Sequence, residues 1–77
     1  MGTTTSRYEV GLLDDKDDPC DLFDFCRTMV QARRFAKRKF EQNKQPVYIY
    51  DRMAHYMAPL IRKYDGEWTT IRHRTDR

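Results

Sequence analysis

The stretch from Asp18 to Asn43, DPCDLFDFCRTMVQARRFAKRKFEQN, decides how the chain is read. Leu22, Phe25, Cys26, Met29, Ala32, Ala36 and Phe40 recur mostly three or four residues apart, the stripe a helix lays on a sheet. Asp18 before Pro19 reads as an N-cap with proline at the first helical position. Asp21 then falls where an acidic side chain reaches back to the free amides. Neither glycine nor proline interrupts the run until Pro46, which disfavours helical geometry at Gln45. The expectation is one long helix from about Pro19 to about Asn43.

The flanks alternate instead. Tyr8, Val10 and Leu12 share one face of a strand, with Arg7 and Glu9 on the other. After the helix, VYIYDRM sends Val47, Ile49, Asp51 and Met53 one way and Tyr48, Tyr50 and Arg52 the other. LIRKYDGEWTTIR then reads as a hairpin, with Asp65-Gly66 as a two-residue turn. That turn sets Tyr64 opposite Glu67, Lys63 opposite Trp68 and Leu60 opposite Ile71. The fold class is α+β. The order is β-α-β-β-β, with one long helix on one face of a three- to four-stranded sheet. Were the first two strands parallel neighbours, their crossover would be right-handed. The second sheet face has no helix assigned to cover it, and Tyr48, Tyr50 and Arg52 fall there.

The chain of 77 residues is one small domain over residues 7–72, after a loose N-terminus (1–6) and before a basic tail (73–77). Its hydrophobic fraction of 39% is low, and an aromatic fraction of 13% partly offsets it, because rings bury much area each. Without a long apolar run or an apolar leader, neither a membrane span nor a secretory signal is expected, and the chain is read as cytoplasmic. MGTTTS matches the loose N-myristoylation pattern at Gly2 and Ser6. Cys20 and Cys26 lack zinc-site spacing, and they suit a reducing compartment better than a disulfide scaffold. His55 and His73 lie far from them in sequence.

No catalytic constellation can be assembled. Ser6 is the only serine, and Cys26 falls on the apolar stripe, where it is a small hydrophobe rather than the nucleophile of a Cys26–His55 pair. A non-enzymatic protein without cofactor or metal is expected. The aspartates at 14, 15, 17, 18, 21 and 24 read as helix-capping charge rather than a cation loop.

Charge divides the chain. Residues 1–26 carry 2 basic and 7 acidic side chains, and residues 27–77 carry 13 basic and 5 acidic, within a total of +3. On the helical wheel Arg27, Gln31, Arg34 and Arg38 form a ridge opposite the stripe. Arg33 and Lys37 flank the stripe on one side and Lys39 on the other. Only Glu41 offsets the positive charge between Arg27 and Lys44, so ion pairs along the helix do not account for it. Phe35 projects among the arginines, either exposed for stacking or folded under a loop. The candidate binding residues are Arg27, Arg34, Phe35 and Arg38, with Tyr48, Tyr50 and Arg52 on the sheet. The expected partner is nucleic acid, a nucleoprotein complex or an acidic protein surface. The alternative is a small protein-binding inhibitor or adaptor of phage or mobile-element accessory type, using bipolar charge or an edge strand that also serves a homodimer.

Overall fold

A computed structural model describes residues 7–54 and 60–72. The order is β1 (Tyr8–Leu13), β2 (Pro19–Cys26), α1 (Met29–Asn43), β3 (Val47–Asp51), a 3-10 turn (Arg52–Ala54), β4 (Leu60–Tyr64) and β5 (Trp68–Arg72). The class is α+β, one helix on a five-stranded antiparallel sheet of order β2-β1-β3-β4-β5. The expectations at Gly2 and Ser6, at His55 and His73, and for the tail at 73–77 lie outside the described residues.

The main correction falls on the opening stretch. Residues Pro19–Cys26 are a strand, and the helix starts only at Met29. Thr28, not Asp18, is the N-cap: its hydroxyl accepts the Gln31 amide at 3.1 Å. The Gln31 side-chain oxygen in turn accepts the Arg27 amide at 3.3 Å, which approximates a capping box. Two register shifts in the β1–β2 ladder, at Val10/Gly11 and Leu12/Leu13, explain how strand residues imitated a helical stripe. Extra residues in β2 break strict alternation, so apolar side chains recur at intervals other than two. Phe23 and Cys26 reach the main core, while Leu22 and Phe25 stay 49% and 37% exposed. Proline at the first residue of an edge strand removes no needed ladder donor.

α1 ends with Lys44 in the left-handed region at φ 55°, its amide returning to the Phe40 carbonyl at 2.7 Å. The inner face of α1 follows the expected spacing. Ala32 and Ala36 are buried with Val10, Leu12, Val47 and Ile49, and Met29 and Phe40 pack at the margin. Small alanines at the contact let the helix axis approach the sheet closely. Arg33 stands over the Trp68 ring and Lys37 over Tyr64 on one flank, while Lys39 covers Phe23 and Phe35 on the other. These long side chains shield the core's edges with their stems.

β1 is an interior strand, and both its neighbours run antiparallel to it, so the question of a right-handed parallel crossover does not arise. The β4–β5 register also differs from expectation. Tyr64 pairs with Trp68, Lys63 with Thr69, and Leu60 with Arg72. The loop is therefore three residues, Asp65, Gly66 and Glu67, with Gly66 at φ 91°, a conformation that disfavours any side chain.

The sheet face away from α1 carries a second buried cluster of Leu13, Tyr48 and Ile61, with Tyr50 and Ile71 packed against it. Tyr48 is 2% exposed, so it is a core residue rather than part of an open aromatic platform. Its ring lies across Gly11, where a Cβ would approach the ring to 2.7 Å and collide with the Asp21 carbonyl oxygen. The Tyr48 hydroxyl donates to Glu9 at 2.6 Å. Glycine at 11 thus makes the space that a tyrosine on the neighbouring strand fills.

Candidate nucleic-acid interface

The aspartates do not cap the helix: Asp14, Asp15, Asp17 and Asp18 form the β1–β2 connection, and Asp21 and Asp24 lie on β2. Asp14 accepts the backbone amides of Lys16 and Asp18 at 2.8 and 3.0 Å, and its own amide donates to the Asp18 carbonyl at 2.9 Å. These amide bonds hold the Asp14 carboxyl below the usual carboxylate range. Asp17, at φ 61°, pairs with Lys63 of β4 at 2.8 Å. Asp21 and Asp24 each accept the next amide along β2, from Leu22 at 3.0 Å and Phe25 at 2.8 Å. Among the described residues, no three His, Cys, Asp or Glu side chains gather as a metal-binding set.

Arg27, Gln31, Arg34, Phe35 and Arg38 line one groove with Phe25 and Cys26, about 510 Å3 in volume. The local reason is simple. Gln31, Arg34 and Arg38 recur three and four positions apart on α1, and Phe35 lies four after Gln31 and three before Arg38, so all four share a side of it. Arg27 belongs to the short link before the Thr28 cap, so it joins the group through the turn rather than through the helix. Phe25 and Cys26 come from the end of β2, which the turn brings alongside. Arg27, Gln31, Arg34 and Arg38 are exposed. Among the described residues these three arginines form no ion pair; the pairs present are Arg7–Asp51 and Lys63–Asp17.

Phe35 takes neither of its two expected settings, since it is not fully exposed and the side chain it packs against comes from strand β2 rather than a loop. It is half-buried, edge-on to Phe23 with ring centroids 6.1 Å apart, and roofed by Lys39. The Cys26 thiol is pushed up, mainly by burial and then by Asp24, so it stays protonated near neutral pH and acts as an apolar surface.

The sheet candidates divide. Tyr48 and Tyr50 lie on the face opposite α1, and burial followed by the Glu9 carboxylate pushes the pKa of both phenols up, keeping them protonated. Neither joins the groove. Arg52 is exposed and stacks over the Phe25 ring at 4.9 Å, so it lies beside a groove residue. Phe25, Cys26 and Gln31 therefore belong with the ridge. Gln31 shared its helical spacing in the sequence, whereas Phe25 and Cys26 were hidden by their apparent place on the helical stripe.

No protein family, curated protein or solved structure matches the chain. Among the described residues, no helix is long and apolar enough to cross a membrane.

Proposed function

We propose that this protein is a non-enzymatic binding module whose partner is nucleic acid or a nucleoprotein complex, held at its phosphates by Arg27, Arg34 and Arg38. The observation that carries this reading is the contrast in how charges are used. The ridge arginines are exposed, share one groove and make no ion pair among the described residues. Charge left unpaired by the fold is available to a phosphate backbone, and displacing condensed counterions then drives association. Arg52 extends the positive surface beside Phe25. The free thiols of Cys20 and Cys26 suit the reducing cytoplasm.

A salt series with duplex DNA and single-stranded RNA tests the reading. Affinity should fall steeply with salt, and Arg34→Glu with Arg38→Glu should weaken binding more than tenfold at low salt and flatten the salt slope by about two. Binding unchanged in the double variant would overturn the proposal.

A protein-binding adaptor is the second reading. The separated charge favours it, as does the β5 edge, Trp68–Arg72, at the end of the sheet away from the acidic hairpin. That edge would also serve a homodimer. β2 is the poorer edge for either purpose, because Asp21 and Asp24 already occupy two of its amides and Pro19 has none. A protein partner retained after nuclease treatment, without salt-sensitive nucleic-acid binding, would favour this alternative.

A further inference from the structure

The groove beside the ridge has a chemistry that phosphate binding alone does not use. Its lining combines the arginines with Phe25, the protonated Cys26 thiol and half-buried Phe35. A duplex presents phosphates outward and keeps its bases stacked, so an aromatic floor next to the cations gains nothing from it. A single strand exposes base faces, and proteins that hold it combine cationic tracks with aromatic contacts.

Gln31 adds a directed polar group. Its side-chain oxygen accepts the Arg27 amide at 3.3 Å, which fixes the orientation of the carboxamide, because only the oxygen can accept from an N–H. The NH2 end is left as a two-proton donor on a groove-lining residue. Base edges offer carbonyl oxygens and ring nitrogens as acceptors to such a donor. The volume of about 510 Å3 is within the range that holds a small ligand, enough for a base with its sugar.

We infer that the groove between α1 and the end of β2 seats an unpaired nucleobase of a single-stranded nucleic acid. In this arrangement Gln31 donates to the base edge, Phe25, Cys26 and Phe35 supply apolar contact, and Arg27, Arg34 and Arg38 hold the flanking phosphates. This rests on the nucleic-acid reading above and narrows its ligand to the single-stranded class.

Fluorescence anisotropy would compare a short labelled single-stranded RNA, the same sequence as a duplex, and the same strand with abasic positions, all at one salt concentration. The single strand should bind at least tenfold tighter than the duplex, and base removal should cost about tenfold, the scale of one stacked base. Gln31→Glu keeps the oxygen that accepts from Arg27 and removes the donor. It should flatten the ranking among homopolymers of A, C, G and U, a readout that a purely structural role would leave unmoved. Equal binding of strand and duplex, with the abasic strand unaffected, overturns the base pocket and leaves phosphate binding standing. Absence of salt-sensitive binding to all three ligands overturns both.

Discussion

In the β1–β2 hairpin, carboxylates are bonded within the fold: Asp14 holds the backbone amides of Lys16 and Asp18, Asp21 that of Leu22, Asp24 that of Phe25, and Glu9 takes the Tyr48 hydroxyl. On α1 the charges point outward, and Arg34 and Arg38 enter no ion pair among the described residues. Opposite charge in the two regions therefore has different consequences. Aspartate is short and acceptor-only, so in a tight turn it satisfies nearby amides that would otherwise lack partners. Arg34 and Arg38 sit on a helix whose backbone amides are already bonded, and their exposed side chains make no ion pair among the described residues. Replacing the hairpin carboxylates should act on stability, and replacing the ridge arginines should act on binding.

The largest effect is expected where the hairpin leaves no room. Gly11→Ala would press a methyl group into the Asp21 carbonyl and the Tyr48 ring, forcing β1 and β2 apart. Overpacking against backbone costs about 3 kcal/mol, which urea unfolding would read as a lower midpoint. An unchanged midpoint would mean that the close β1–β2 approach does not hold the hairpin. Tyr48→Phe is the milder version. It keeps the ring over Gly11 and removes the donor to Glu9, so about 1 kcal/mol should be lost in the same measurement. If that variant is as stable as the parent, the Glu9 carboxylate is not structurally committed and the contrast between the regions weakens.

How much of this was legible depends on how local each feature is. The alternation of Tyr8, Val10 and Leu12 and that of Val47 to Asp51 each report one face of a regular strand. Ala32 and Ala36 mark the buried line of α1. Arg34, Phe35 and Arg38 meet because helical geometry makes them neighbours. β2 was not legible, since its bulged register exists only against β1, and Phe23 and Cys26, three apart, match a helical spacing and share the core only because of the bulge. The burial of Tyr48 depends on a gap at Gly11 on another strand, which no local pattern records. The groove was half-legible for the same reason: its helix side follows spacing, and its β2 side requires the turn at Thr28.

Acid should distinguish the regions next. The carboxyls of Asp14, bonded to backbone amides, and Asp51, bonded first by Arg7, are both lowered in the folded chain. Arg7 meets Asp51 through two contacts of 2.8 and 2.9 Å. A carboxyl whose folded value lies below its unfolded value contributes stability that is present above the unfolded value and is lost as pH falls through the folded one. Melting temperature should therefore stay level from neutral pH to about pH 5 and decline below the ordinary value of 3.8 as both groups take up protons. Asp14→Asn should lower the melting temperature at pH 7 and make the decline shallower. A parallel decline in parent and variant would show that the Asp14 turn does not contribute to the acid response.

The smallest stability effect is expected on the ridge. Arg34 and Arg38 are exposed, and reversing both to glutamate removes no ion pair among the described residues. Surface substitutions away from caps and buried groups change stability by about 0.5 kcal/mol or less, and glutamate is as good a helix former as arginine to within a few tenths. Thermal unfolding of the double variant should thus superimpose on the parent, while its salt-dependent affinity collapses. Both halves of that result matter. A destabilised double variant would mean that the ridge charges do structural work after all, as the hairpin carboxylates do. A stable variant that has lost binding would establish that the fold leaves its positive charge free for a partner.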